Sequence, residues 1–343
     1  MKIIFTICGN NYLAQAKTMV DSAQKHNPDY HFVIGLVDGF NDEVNYGDFA
    51  PAEIIDVSTI DIPEFEDMQR RYDVVEFSTS IKPFYFLHFF RTSNPADLVI
   101  YIDPDIMIFD SFKRIEAEIE NSTILLTPHS LAPIPQDGKW PLDNLFLNVG
   151  VYNLGFIAAR NDPESLRFME WWASCTESMG YWDFAKGLFV DQLWVNFAPL
   201  YFTGVKVSHD PGLNMAFWNF HERQLSCKNG KYVVNDSSPL TFFHFSAYSP
   251  AKPSFIARQE NDMPNFRYSF EARPDLQAIY DDYCQHMLNN GFEFYSQLQW
   301  GSSNSDNPFA PRTKSQEAPY KPPRIIDRVR NRLKRLVKRV TGW

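Results

Sequence analysis

The stretch Ile100-Tyr101-Ile102-Asp103-Pro104-Asp105-Ile106-Met107-Ile108-Phe109 decides how the chain is read. From Val99 to Ile102 runs a short β-branched and aromatic segment, the composition of a buried strand. It stops at Asp103-Pro104-Asp105. Pro104 fixes its own φ and drives Asp103 toward extended backbone. Positions i and i+2 on extended backbone send their side chains to one side. Two hard carboxylates then stand together at a strand end. Such a pair suits a divalent cation that keeps open positions for a diphosphate. In an open α/β sheet, ligands sit at that edge. Asp-Pro-Asp is also ordinary turn chemistry, so these residues alone leave both readings open.

Working outward, residues 2–7 read as a strand, 8–12 as a turn, 13–25 as a helix and 31–37 as a second strand closed by Asp38-Gly39. That succession is a βαβ unit and predicts a parallel sheet. Residues 54–57 read as a third strand, and 80–91 as an aromatic helix. A strand at 124–127 precedes a Pro- and Gly-rich loop at 128–141, expected to lie over the site. Two Asn-x-Gly triplets follow, Asn148-Val149-Gly150 and Asn153-Leu154-Gly155; the second opens a buried strand at 156–159. An amphipathic helix is predicted at 164–179, a short helix at 191–197, strands at 205–208 and 242–245, and a helix from 271 to 289. The fold class is therefore α/β, with a mostly parallel mixed sheet flanked by helices. The expected domains are 1–300 as the folded body, 301–323 as a flexible linker and 324–343 as a basic amphipathic helix.

Bulk numbers narrow the function classes. The 343 residues carry a formal net charge of −10. Residues 324–343 hold eight basic side chains and one acidic, about +7, which leaves about −17 on the rest. An acidic body argues against a nucleic-acid partner. The four cysteines fit no zinc or redox spacing and are too sparse for a disulfide scaffold. No stretch has the length of a signal core or a membrane span. These features predict a reducing, cytoplasmic compartment.

Four stretches occur in a fixed order: Asp103-Pro104-Asp105, Asn153-Leu154-Gly155-Phe156, Asp191-Gln192-Leu193-Trp194-Val195-Asn196, and His244-Phe245-Ser246-Ala247-Tyr248-Ser249-Pro250-Ala251-Lys252-Pro253. Together they resemble GT-A-type glycosyltransferases, in particular the glycogenin/galactosyltransferase-like retaining group and its bacterial surface-polysaccharide relatives. The resemblance covers roughly residues 1–260 and implies a GT-A-type, nucleotide-diphospho-sugar transferase fold. It implies that Asp103, Asp105 and His244 hold Mn²⁺ or Mg²⁺. It puts Lys252 on the donor diphosphate, Asn153 near the donor sugar, and Asp191 and Gln192 beside the reacting carbon. Thr6, Asn11 and Tyr12 fall where such enzymes hold the nucleotide base, and Lys82 where they place a basic residue near the donor. Two positions depart from the pattern: Ala247 stands where relatives usually have Gly, and Ser254 where many have Trp.

The chemistry can be weighed without the resemblance. Breaking a sugar–diphosphate bond develops negative charge on the leaving group. A cation held by two carboxylates and an imidazole, with Lys82 or Lys252 nearby, answers that charge. Asp, Asp and His suit Mn²⁺ better than an all-oxygen set does. Asp191 serves an oxocarbenium-like carbon in a retaining reaction or an acceptor hydroxyl in an inverting one; the resemblance favours retention.

Each residue also has a plain structural reading. His244 suits a core position, Asp191 a helix N-cap, Lys82 a helix start, and Asn153 a tight turn. Asn214, Trp218 and Arg223 are weaker candidates for an acceptor site. The basic face of 324–343 predicts contact with an anionic membrane surface, so a peripheral position on the inner face of the cell membrane is expected. The sequence thus predicts transfer of a hexose from a nucleotide-diphosphate sugar, UDP-linked by preference, to a glycan or lipid-linked acceptor in surface polysaccharide synthesis. The rivals are a sugar-phosphate nucleotidyltransferase and a non-catalytic nucleotide-sugar- or carbohydrate-binding protein.

Overall fold

The spine of the molecule is β1 (Lys2–Cys8), whose side chains alternate between two cores. Ile3, Phe5 and Ile7 enter one hydrophobic cluster, while Ile4 and Cys8 enter another on the opposite face. β4 (Leu98–Ile102) repeats the pattern, with Val99 and Tyr101 on one side and Ile100 and Ile102 on the other. A strand apolar on both faces must be covered on both faces, which is the condition for a parallel sheet between helical layers.

A computed structural model describes residues 1–95 and 97–299. β1 pairs in parallel with β2 (His31–Leu36) on one side and β4 on the other, and β2 pairs in parallel with β3 (Glu53–Asp56). β7 (Tyr152–Arg160) runs antiparallel between β4 and β6 (Ile124–Pro128), and the strand Val205–Val207 closes that edge parallel to β6. The result is the mostly parallel, mixed α/β sheet expected from the sequence. Helix α1 (Leu13–His26) covers one face, where Leu13, Ala16, Met19, Val20 and Ala23 join the cluster under β1. On the other face lie α2 (Phe65–Arg71), α3 (Val74–Ser80) and α4 (Lys82–Thr92).

Outside this sheet, β5 (Ile106–Ile108) pairs antiparallel with the strand Phe242–His244. A third cluster, with Phe146, Trp218, Phe243, Phe245, Tyr280 and Tyr283, packs beneath that pair.

Several local expectations change. The tight turn that was the plain alternative at Asn153-Leu154-Gly155 is not formed: the triplet lies buried inside β7, where Leu154 bonds the Gln192 and Lys82 side chains through its N–H and carbonyl. The segment 65–80 carries α2 and α3, which the sequence reading did not assign; Asp73 and Glu76 form a capping box that starts α3. Helices α5 (Lys113–Ile119) and α6 (Asp143–Val149) and a three-stranded antiparallel sheet spanning residues 225–239 are further elements that the sequence pattern does not predict. The helix predicted from 271 begins as a 3₁₀ turn at Pro274–Leu276 and is α-helical only at Gln277–Asn289. Loop 128–141 is clasped: Arg267 donates to the carbonyls of Pro135, Lys139 and Pro141 and pairs with Asp137. No helix among the described residues is long and apolar enough to cross a membrane. The linker expected at 301–323 and the basic helix expected at 324–343 lie outside the described residues.

Candidate metal and donor site

The site begins where β4 ends. The backbone N–H of Asp103 donates to the Gly155 carbonyl at 2.8 Å, and the N–H of Ile106 returns to the Asp103 carbonyl at 3.2 Å. That turn leaves both carboxylates about a quarter exposed. Tyr101, two residues before Asp103 on the same strand face, donates its phenol to Asp103 Oδ1 at 2.5 Å. The spacing i, i+2 carried that signal in the sequence, and Tyr101 was overlooked.

His244 arrives through the antiparallel pairing of its strand with β5, opposite Ile106. Its Nε2 lies 3.0 Å from Asp105 Oδ1 and 3.8 Å from Asp103 Oδ2. One donor atom from each of the three residues falls within 4.8 Å of the others. An octahedral ion with bonds of about 2.1 Å spaces its donors by about 3 to 4 Å, so two carboxylates and an imidazole at this spacing fit a divalent cation. Gly155 makes room for the ring: a Cβ there would meet His244 Cε1 at 2.5 Å. Trp218 packs edge-on against the imidazole at 5.1 Å. Burial works against protonation of His244, but the charges of Asp105 and then Asp103 outweigh it and raise its pKa.

A second, closed cluster abuts the first. The buried Lys82 ammonium lies 3.1 Å from Asp191 Oδ2 and 3.7 Å from Asp103 Oδ1. It also donates to the Leu154 carbonyl at 3.0 Å and sits over the Tyr101 ring. Desolvation opposes its charge, yet Asp191 and Asp103 raise its pKa. Asp191 is 1 % exposed, and burial pushes its carboxyl up to about 6 against the pull of Lys82. Asp191 precedes the 3₁₀ turn Leu193–Phe197 and caps no helix; its carbonyl accepts from Trp172 Nε1. Gln192 is committed at both ends of its amide, accepting from Leu154 N and donating to the Val149 carbonyl.

Asn153 belongs to a buried polar group behind the metal cluster. Its Oδ1 accepts from Gly155 N and from Asn214 Nδ2, and its Nδ2 faces His129 Nε2 at 3.3 Å. Burial lowers His129 to about 3, which keeps the imidazole neutral. His129 was absent from the sequence reading; its only signal was its place directly after a strand.

Of the weak acceptor candidates, Asn214 bonds Asn153 and Thr127, and Trp218 packs on His244. Arg223 is turned inward onto the Pro211 and Leu213 carbonyls. All three are buried, so none presents an open face.

At the end of β1, Thr6 Oγ1 and Asn11 Oδ1 are buried without hydrogen-bond partners. Tyr12 keeps 44 % of its surface in solvent, while partial desolvation and then Asp105 raise its phenol pKa. Asn10, missed from sequence, organises this corner. It donates from Nδ2 to Asp38 and to the Gly39 carbonyl, and accepts from Tyr46. Burial lifts Asp38 to about 6 despite those bonds. Lys252 is exposed and forms no ion pair with Asp103 or Asp105 among the described residues. Ala247, in the same segment, has φ 61°, a left-handed conformation that glycine adopts without strain.

No family model matches the chain. It is 32% identical over 182 residues to the uncharacterized protein YfnF of Bacillus subtilis (strain 168), a match spanning 51% of this chain and 58% of that protein. It is 25% identical over 288 residues to YfnD of the same organism, covering 82% of this chain and 87% of YfnD. Among solved structures similar to it are several glycosyltransferases. One is the galactosyltransferase LgtC in complex with donor and acceptor sugar analogs, at TM-score 0.47 and 16% identity, covering 83% of this chain and 95% of that one.

Proposed function

We propose that this chain is a metal-dependent GT-A-type glycosyltransferase that moves a hexose from a nucleotide-diphosphate sugar, UDP-linked by preference, to a glycan or lipid-linked acceptor. The observation carrying the reading is the convergence of Asp103, Asp105 and His244 within 4.8 Å at the end of a buried parallel-sheet strand.

Those three side chains would hold Mn²⁺ or Mg²⁺, which when bound supplies Lewis-acid stabilisation to the leaving diphosphate. The chain's own residues do the rest. Tyr101 fixes the rotamer of Asp103 through its 2.5 Å hydrogen bond. Lys82 adds a fixed positive charge in a low-dielectric setting, where it cannot be screened by water. The exposed Tyr12 would stack on a nucleotide base with the Asn11 amide beside it in the turn after β1, while Thr6 is fully enclosed. Asp191, sealed beside Lys82, sets a negative field for a carbon that develops positive charge. A retaining course is consistent with this arrangement, since Asp191 is enclosed and a base for an acceptor hydroxyl must be reachable.

Thermal unfolding with UDP-, GDP- and dTDP-sugars, each with and without Mn²⁺, tests the assignment. The expected result is stabilisation by one nucleotide class that requires the metal. Absence of any metal-dependent shift across the panel would remove the proposal. The membrane contact expected of residues 324–343 rests on sequence alone. Flotation with anionic vesicles should retain the full chain and lose a version ending at Pro323; equal behaviour would discard that contact.

A further inference from the structure

Immediately before Asp191 the chain makes a short antiparallel hairpin, Trp182–Asp183 against Leu188–Phe189. Its rings face water: Trp182 is 51 % and Phe184 49 % exposed. They are not loose. Trp182 meets Phe189 at 4.9 Å edge-on, and Phe184 lies 5.5 Å from Phe189 and within 8° of parallel. Asp183 braces the tip by accepting from Ala185 N and Lys186 N, and Gly187 supplies the left-handed turn at φ 72°. Trp182 N donates to Glu76 Oε1, and Val190 N to the Tyr181 carbonyl, so both ends are tied down. Large apolar rings held in solvent by a rigid frame are the uncommon case that signals an interaction surface.

The frame connects to the proposed reaction site by one residue. Val190 takes φ 40°, a conformation that a β-branched side chain adopts only under strain. The strained step turns the chain from the hairpin into Asp191 and Gln192. Phe189 packs inward on the cluster containing Phe146 and Val149, and Gln192 Nε2 holds the Val149 carbonyl.

We propose that Trp182 and Phe184 form a stacking platform for the acceptor glycan, and that the acceptor is therefore an oligosaccharide rather than a small alcohol or a lone sugar. This rests on the glycosyl-transfer reading and adds the acceptor class. The C–H face of a pyranose carries slight positive charge and packs on the negative face of an aromatic ring. A sugar stacked on the hairpin would lie beside the chain segment that Val190 turns into Asp191 and Gln192. A bilayer is the competing occupant, and the local charge disfavours it. Glu76 accepts from Trp182 N, and Asp183 and Lys186 cancel as an ion pair, so these charges beside the rings sum to acidic, whereas an anionic membrane surface selects basic flanks.

The test uses the full chain with Mn²⁺ and UDP, an array of short bacterial surface oligosaccharides, and titration calorimetry with the strongest binder. Trp182→Ala should weaken binding about fivefold to tenfold, while Trp182→Phe, which keeps a ring, should stay within about threefold. The metal-dependent thermal shift with the nucleotide sugar should be the same in wild type and both variants, since neither touches the metal or donor groups. That control separates the two proposals: loss of the shift in the wild type strikes the transfer reading, not the platform. The platform is overturned if no array glycan binds the wild type, or if Trp182→Ala binds as tightly. It is equally overturned if Trp182→Ala spares glycan binding and instead abolishes flotation with phosphatidylcholine–phosphatidylglycerol vesicles.

Discussion

Two charged clusters touch where Lys82 approaches Asp103 at 3.7 Å, and they are built in opposite ways. In the Asp103–Asp105–His244 cluster the carboxylates stay about a quarter open to solvent and converge with the imidazole on a common point. In the Lys82–Asp191 cluster both charges are sealed and paired with each other, although Asp191 Oδ2 has no hydrogen-bond partner. The first is held in place but electrostatically unfinished, the state that recruits a cation. The second balances its charge internally and is closed to solvent, so its part is to orient and to set the local field. Burial of an ion pair is weak grounds for stability but strong grounds for intolerance of losing one partner.

The comparison can be broken most severely at the open cluster. Asp105→Asn removes one anionic donor, and transfer should fall by about 10²–10³-fold or more, together with metal-dependent donor stabilisation. Retained activity in a direct transfer assay would mean that the cluster is not where the chemistry is driven. At the closed cluster, Lys82→Met strands the Asp191 carboxylate; urea unfolding should show a loss of about 3–5 kcal/mol. Adding Asp191→Leu should restore much of that loss, and failure to do so would mean the pair is not the source. Between the clusters, Gly155→Ala forces a methyl to within 2.5 Å of His244 Cε1. Calorimetry with Mn²⁺ should show about 10–100-fold weaker binding, with only about 1–3 kcal/mol of stability lost.

The most gradual effect belongs to His129. Burial lowers its pKa to about 3 from 6.5, so its contribution to stability is complete above pH 6.5 and declines as pH falls toward 3. The slope is at most about 1.4 kcal/mol per pH unit. Asp191, raised to about 6, acts in the opposite sense over 3.8 to 6, gaining stability as it protonates. The informative measurement is therefore a difference. His129→Leu should flatten the acid side of the melting-temperature profile relative to wild type; parallel profiles would mean that the imidazole is not sealed.

What was legible in the sequence followed from periodicity and local chemistry. β1, β4 and α1 carry uninterrupted patterns, and Pro104 between two acids reports its own geometry. What was not legible depended on pairing across long separations. Asn153-Leu154-Gly155 looks like a turn because glycine marks turns, yet Gly155 is there because the His244 ring fills the space a Cβ needs. Asn11 was singled out in the first turn, but it is Asn10 that ties to Asp38 and Tyr46, and neither partner is near it in sequence. Gln192 has a polar side chain at a suggestive position, and only the fold reveals that its amide is already occupied by the backbone at Leu154 and Val149.

The pairing of Phe242–His244 with β5 has a consequence for how the protein matures. A chain leaving the ribosome carries both acids long before it carries the histidine, and the histidine is seated by a strand belonging to the last third of the fold. Ion capture by all three ligands therefore cannot precede docking of that late segment. Loading by all three residues would mark a chain in which that strand has docked, and fragments ending short of residue 242 should bind no better than any pair of surface carboxylates.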